Sequence, residues 1–174
     1  MNFDLQKITN SESKRFLVTL LRNRKINMEF YKRVPKNKLD FRMVDTNERK
    51  SDSPRESIVH QIYVTKNYIY SVKVGKQEWS DERYNILIGS EVTSYSKEQL
   101  LSKLEETESE LFEILIDPSL SDKTVKVKWK DDPIPAITSL WGLDSHEVFH
   151  QGWNLAIMDH LGIERFPEFE EMWG

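Results

Sequence analysis

Residues 145–162 read SHEVFHQGWNLAIMDHLG, and they hold three of the chain's four histidines. The apolar residues of this stretch recur at steps of three and four, which predicts a helix with one face toward the protein interior. Gly162 is the expected end of the helix, because glycine readily adopts the left-handed conformation that follows many helices. His146 and His150 are four positions apart and share one helical face, with their β-carbons roughly 5–6 Å apart.

The shared face of His146 and His150 allows both imidazoles to reach one metal ion. Leu143 and Ile157 continue the same face, so we expect it to point into the protein. A buried polar group without a partner costs roughly 1–3 kcal/mol, and a metal ion would satisfy one nitrogen of each ring. Histidine pairs at this spacing also occur by chance, so a packing role without metal stays open.

The periodicity of the sequence predicts four helices, over about 12–33, 54–74, 97–115 and 136–161. Residues 35–52 are polar and rich in charge, so they should form a loop. Residues 75–95 are too many for a tight turn and suit a long crossover. Four helices with one long connection between the second and third are typical of an all-α four-helix bundle.

Capping boxes mark the starts of the first three helices. In this pattern a Ser or Thr precedes a Glu or Gln by three positions and satisfies free backbone N–H groups. Thr9, Ser53 and Ser96 occupy the first position of the three patterns. Pro54 strengthens the second helix start, because proline suits the first helical position.

A small β appendage is also expected. VKVKWK at 125–130 alternates between apolar and polar residues as a strand does. The short apolar run YNILIG at 84–89 is a candidate partner for it in a hairpin-like pair.

The length and composition of the chain limit the classes of protein that it can be. Its 174 residues suffice for a hydrophobic core, and we expect a single domain over 1–174. The absence of cysteine excludes disulfides, thiolate metal sites and a catalytic thiol. The sequence has no run of eighteen apolar residues and no secretory signal, so we expect a cytoplasmic protein without a membrane partner.

The net charge of -4 conceals an uneven distribution. Residues 1–50 carry 13 Lys+Arg and 6 Asp+Glu, whereas residues 51–174 carry 12 and 23. Nucleic-acid binding through Arg22, Arg24 and Lys25 is one explanation of the basic segment. No nucleic-acid motif accompanies the charge, so we favour packing beside the acidic third helix, or exposure to solvent, and expect no nucleic-acid partner.

His60, the remaining histidine, lies on the second predicted helix. It is roughly opposite the stripe formed by Ile58, Ile62 and Ile69. Either this helix buries two faces, or His60 is merely exposed.

SPRESIVHQIYVTKNY at 53–68, the acidic third helix and SHEVFHQGWNLAIMDHLG at 145–162 together resemble the DinB-like superfamily. This superfamily includes YfiT-like metal-dependent hydrolases and the bacillithiol and mycothiol S-transferases, and the resemblance covers essentially the whole chain. It implies a four-helix bundle with a long crossover after the second helix. It also implies that His60, His146 and His150 bind a divalent metal, with zinc or nickel expected first although imidazole also suits copper and iron.

The chain departs from the superfamily just after the second histidine of the last helix. Many members have Arg-Gly-Gln there, whereas this chain has Gln151, Gly152 and Trp153. The departure affects substrate contacts that the Arg or Gln would make, and it leaves the three predicted ligands unchanged.

Three imidazoles on a divalent ion leave coordination positions open, as in catalytic zinc sites. A water or thiol bound there becomes more acidic, which yields a nucleophile at neutral pH. Because the chain has no cysteine, a reacting thiol would be a small cosubstrate. We therefore expect a metal-dependent transferase of a low-molecular-weight thiol or a small-molecule hydrolase, although the sequence identifies no catalytic side chain. The alternative is a non-catalytic stress protein that binds a metal or small ligand, and in either case we expect a homodimer.

Other residues near the predicted site are expected to have ordinary roles. His160 should be structural or exposed at the helix end, where it complements the helix dipole. Glu147 points about 100° away from the preceding histidine, so we expect a surface carboxylate. The alternative is that it hydrogen-bonds to a metal ligand or acts as a general base. Packing is the expected role of Tyr63, Asn67 and Trp153.

Overall fold

Helices dominate the structure, a computed structural model that describes residues 3–173 apart from the side chain of Thr93. Within this range the helices are α1 (Ser11–Arg33), α2 (Pro54–Val74), α3 (Asp81–Ile88), α4 (Lys97–Leu115), α5 (Ala136–Leu161) and α6 (Pro167–Trp173). None of these described helices is both long and apolar enough to cross a membrane. Residues 1, 2 and 174, which the predicted domain range includes, lie outside the described part.

Helices α1, α2, α4 and α5 form a four-helix bundle. Helix α1 contacts α5 and α4, and α2 contacts the same two helices, so each helix packs against two others. The predicted helix ranges agree with these four helices to within one residue at each end. Residues 75–96 connect α2 to α4 and contain α3, which makes them the predicted long crossover. The predicted all-α four-helix bundle is therefore confirmed.

Side chains that accept hydrogen bonds from backbone N–H groups determine where the helices start. The capping boxes at Ser53 and Ser96 are present as predicted. The prediction for Thr9 is wrong, because Asn10 caps α1 and its side-chain oxygen accepts two N–H hydrogen bonds of the first turn, at 2.9 and 3.0 Å. Helix α5 ends at Gly162 as expected, and the φ of 65° there lies in the left-handed region.

The predicted pairing of residues 125–130 with residues 84–89 is wrong. Strand β1 (Thr124–Val125) pairs instead with β2 (Ile134–Pro135), which directly precedes α5. Most of the 84–89 run belongs to α3 instead. Ser80 caps the start of this helix, and its hydroxyl accepts a hydrogen bond from the backbone N–H of Arg83 at 3.2 Å. A short apolar run does not by itself distinguish a strand from a helix.

The loop between α1 and α2, which the sequence predicted, is held against the start of α2. Arg42 donates to the carbonyl oxygen of Ser51 at 2.5 Å and to the carboxylate of Glu56 on α2 at 2.6 Å. These contacts place the end of the loop, with Lys50 and Asp52, beside the first turns of α2.

Helix α6 follows the bundle and was not predicted. Its Glu168 forms an ion pair with Lys25 on α1 at 3.0 Å. The indole N–H of Trp173 donates to the side-chain oxygen of Gln151 on α5 at 2.7 Å. The short helix thus packs across α1 and α5.

The core consists of two clusters of buried apolar side chains with a polar layer between them. On α1, the buried members of the first cluster end at Leu20 and those of the second begin at Ile26. On α5, the first cluster ends at Leu143 and the second begins at Ile157. On α5, the polar layer between the two clusters includes His146 and His150.

Candidate metal centre

The three predicted ligands converge between α2 and α5. His60 projects from α2, and His146 and His150 project from adjacent turns of α5. Nε2 of His146 lies 2.9 Å from Nε2 of His60 and 3.3 Å from Nε2 of His150. One nitrogen atom from each of the three rings lies within 4.8 Å of the other two. The structure thus brings together the three histidines that the sequence singled out.

His60 can lie beside α5 because helix α2 is buried on most sides by its neighbours. Ile58, on the stripe opposite His60, is buried, and so is Val64, which follows His60 by four residues on the same side of the helix. Helix α2 therefore buries residues on both faces, as in the first alternative, while His60 itself is exposed, as in the second. His60 lies exposed at the rim, His146 is half-buried, and His150 is only 3% exposed.

Burial favours the neutral form of all three imidazoles. It lowers the pKa of His150 to about 2, and the neighbouring His146 and His60 add to the effect. Burial also lowers the pKa of His146 to about 4, with His60 as the second cause. The pKa of His60 is lowered by burial too, and the negative charge of Asp52 opposes that shift. Neutral imidazole is the form that binds a metal, so the cluster is ready for a metal at neutral pH.

The positions of the nitrogen atoms fit a single divalent ion. Two ring nitrogens 2.9 Å apart attract each other only if a proton or a cation lies between their lone pairs. Bonds of about 2.0–2.1 Å in a tetrahedral zinc site separate two ligand nitrogens by roughly 3.3 Å. The separations here, 2.9 and 3.3 Å, are close to that value. Zinc and nickel, the ions expected from the sequence, both accept imidazole ligands.

The second ring nitrogens of the two α5 histidines lack the hydrogen bonds that usually orient metal-binding imidazoles. Nδ1 of His146 and Nδ1 of His150 are buried and have no hydrogen-bond partner among the described residues. In many metal sites this nitrogen donates to a carboxylate or carbonyl that fixes the ring. Here the direction of the rings depends on where the helices hold them.

A cleft of about 270 Å³ opens beside the histidine cluster. It is lined by His60, His150, Lys50, Asp52, Ser57, Phe149 and Trp153. Phe149 is 71% exposed, and its ring lies edge-on to that of His150 with centroids 6.1 Å apart. A small molecule in the cleft would meet two imidazoles, two aromatic side chains and one charge of each sign.

Glu147 is not the surface carboxylate that the sequence predicted. Its side chain is 0% exposed, and its Oε1 lies 2.5 Å from Nη2 of Arg24 on α1. A carboxylate is rarely buried without such a partner. The sequence did contain a signal, because Arg24 falls on the apolar stripe of α1, four residues after Leu20 and four before Met28. A basic residue at a core position predicts an acidic partner in the core.

Burial also removes Arg24 from the basic surface considered for nucleic-acid binding. Its side chain is 1% exposed, whereas Arg22 and Lys25 are exposed. Lys25 is in turn paired with Glu168 of α6. Of the three basic residues, Arg24 has no access to a nucleic acid in the folded protein.

The other residues considered near the site have the ordinary roles expected of them. His160 is exposed near the end of α5, outside the cluster. Tyr63 and Asn67 pack against the crossover. Trp153 is half-buried against the second core cluster and also lines the cleft, so it has both a packing role and a place beside the site.

A comparison with solved structures agrees with this architecture. No protein-family model matches the chain, and no curated protein matches it in sequence. Among solved structures, the crystal structure of the DinB-like protein YjoA from Bacillus subtilis is similar, with a TM-score of 0.51 and 17% sequence identity. The match covers 89% of this chain and 96% of that chain, and at this identity it bears on the fold alone. The chain therefore has the DinB-like fold, as its sequence motifs suggested.

Proposed function

We propose that the protein binds one divalent metal ion through His60, His146 and His150 and uses it to activate a small nucleophile. The observation that carries the proposal is the convergence of three neutral Nε2 atoms at the edge of a cleft. An ion held by three imidazoles keeps coordination positions open and lowers the pKa of a thiol or water bound to it.

The surroundings of the cluster support a small-molecule substrate. The cleft, about 270 Å³, lies just below the ~300–1,000 Å³ of typical ligand pockets and so suits a small molecule, and Phe149 and Trp153 give it apolar walls. Lys50 lines the cleft, and its ammonium group, which lies 3.4 Å from the exposed carboxylate of Asp45, can also pair with an anionic group of a substrate. Since the chain has no cysteine, a thiol that reacts here must arrive as a cosubstrate. The proposed activity is therefore transfer of a low-molecular-weight thiol to an electrophile, or hydrolysis of a small substrate.

Metal content provides the first test. We expect the purified protein, reloaded with zinc or nickel, to hold one ion per chain by elemental analysis. The His146→Ala variant should lose this ion. His160→Ala, which alters an exposed histidine outside the cluster, is the matched control and should keep it. Full occupancy in His146→Ala would refute the proposed site.

Activity provides the second test. Conjugation of a small thiol to chlorodinitrobenzene and hydrolysis of a nitrophenyl ester are measured with and without a chelator. A chelator-sensitive rate in the first assay identifies thiol transfer, and such a rate in the second identifies hydrolysis. Metal-dependent thermal stabilisation without a rate in either assay would favour the alternative, a non-catalytic metal-binding protein.

A further inference from the structure

Helix α1 carries none of the three histidines, yet it contacts the residue that follows each of them. Gln61 follows His60, Glu147 follows His146, and Gln151 follows His150. The structure buries all three of the following residues, Gln61, Glu147 and Gln151. Each of the three side chains is hydrogen-bonded to α1.

The contact on the α2 side is made by Tyr31. The side-chain amide of Gln61 donates to the hydroxyl of Tyr31, which is fully buried. The backbone carbonyl of Gln61 also accepts a hydrogen bond from the hydroxyl of Thr65 at 2.8 Å, and Thr65 in turn accepts one from Arg24 at 2.8 Å. The turn of α2 that follows His60 is thus tied to α1 at two points.

The contacts on the α5 side are made by Arg24, Asn27 and Asn23. Arg24 pairs with one carboxylate oxygen of Glu147 at 2.5 Å. The amide of Asn27 donates to the other carboxylate oxygen at 2.8 Å and to the backbone carbonyl of Glu147 at 3.0 Å. The amide of Gln151 donates to the backbone carbonyl of Asn23 at 3.0 Å.

The α1 residues in these contacts form one polar face. Asn23, Asn27 and Tyr31 are spaced four apart, so they lie along one side of the helix, and Arg24 is adjacent. We call these four residues the polar face of α1. It faces the two helices that hold the histidines, and two of its members, Asn23 and Arg24, lie between the two apolar clusters along α1.

We propose that the polar face of α1 positions the three histidines by fixing α2 and α5 relative to each other, and thereby sets the affinity for the metal. This inference rests on the proposed function. Because Nδ1 of His146 and of His150 has no hydrogen-bond partner among the described residues, the position of each Nε2 follows from the placement of its helix. Metal sites hold their ligands to within about 0.5 Å, and changes behind the ligands typically weaken metal binding 10- to 100-fold. These α1 side chains are positioning residues, since none of them lines the cleft.

A purely structural role would stabilise the bundle without affecting metal affinity, so the test measures both quantities. Tyr31→Phe keeps the buried ring and removes its hydroxyl, which accepts from Gln61 and also lies close to the side chains of Ser57 and Asn154. We expect its dissociation constant for zinc to rise at least tenfold. Gln61→Met removes the same hydrogen bond from the other side and should have a similar effect. The double variant should bind zinc about as tightly as Tyr31→Phe alone, because Tyr31→Phe already removes the hydrogen bond that Gln61→Met breaks.

Tyr68→Phe is the matched control, because it makes the same substitution at a buried tyrosine of α2 in the first core cluster. Its dissociation constant should stay within twofold of the wild-type value. The melting temperature of each metal-free variant reports the structural effect. The visible absorption spectrum of the cobalt-loaded protein reports ligand geometry, and we expect it to change in Tyr31→Phe and not in Tyr68→Phe.

The inference is overturned if Tyr31→Phe and Gln61→Met bind zinc as tightly as the wild type, whatever their melting temperatures. It is also overturned if Tyr68→Phe weakens binding as much as they do. A wild-type protein that binds no stoichiometric metal would instead refute the proposed function itself, and this inference with it.

Discussion

Arg24 on α1 and Glu147 on α5 form an ion pair in the middle of the bundle, with 1% and 0% of their side chains exposed. The same guanidinium donates to the hydroxyl of Thr65 on α2 at 2.8 Å and to that of Thr107 on α4 at 3.1 Å. One side chain thus joins all four helices of the bundle. A buried ion pair often contributes little net stability, but breaking it leaves one charge without compensation.

Arg24→Met is therefore expected to lower the free energy of unfolding by about 3–5 kcal/mol, because the carboxylate of Glu147 stays buried without its partner. The double variant Arg24→Met/Glu147→Leu removes both charges and should recover most of the loss. Urea unfolding followed by circular dichroism measures both effects. Arg22→Met, at an exposed position of the same helix, is the control and should change the stability by no more than about 0.5 kcal/mol. A double variant as unstable as Arg24→Met would contradict this account.

The metal-free protein is expected to lose stability as the pH falls from about 6.5 to 5. A histidine in the unfolded chain takes up a proton near pH 6.5, whereas His146 and His150 in the folded protein have pKa values lowered to about 4 and about 2. Between these values only the unfolded state binds the protons. The free energy of unfolding then falls by about 1.4 kcal/mol per pH unit for each such histidine.

Urea unfolding between pH 7 and 5 in the presence of a chelator measures this slope. His150→Gln should reduce it, because glutamine does not titrate. Equal slopes for the wild type and His150→Gln would show that the buried imidazole does not resist protonation.

The sequence predicted what depends on local interactions. The four bundle helices have strong periodicity, and the capping boxes at Ser53 and Ser96 involve residues three positions apart. His146 and His150 are likewise neighbours on one helix. The convergence of His60 with them depends on how two helices pack, and only the resemblance to DinB-like proteins indicated it in advance.

The incorrect predictions concern choices between similar local signals and contacts between distant residues. Asn10 lies one residue closer to the helix than Thr9 and caps it instead. The run at 84–89 was compatible with a strand or a helix, and the cap at Ser80 decides for the helix. The burial of Glu147 depends on a partner on another helix, so helical spacing from the adjacent histidine could not reveal it.

Two glycines of α5 are expected to respond in opposite directions to alanine. A Cβ at Gly142 would lie 2.5 Å from the hydroxyl oxygen of Tyr68, so Gly142→Ala should destabilise the protein by about 1–3 kcal/mol. A Cβ at Gly152 would meet no atom within 4 Å, so Gly152→Ala should stabilise the helix by about 0.5–1 kcal/mol. Thermal unfolding measures both. Adding Tyr68→Phe to Gly142→Ala removes the clashing oxygen and should restore part of the loss, and its failure to do so would rule out this contact as the cause.

Phe149→Ala is expected to impair substrate binding without impairing metal binding or stability. The phenyl ring is 71% exposed, so its removal costs the fold little, but it lines the cleft beside His150. If a substrate packs against this ring, kcat/KM in the assay that reveals activity should fall about tenfold, the equivalent of ~1.4 kcal/mol of lost apolar contact. Trp129→Ala is the control, because Trp129 is 65% exposed and lies in the turn after β1. Equal losses in the two variants, or a loss of metal from Phe149→Ala, would show that this ring does not act through the substrate.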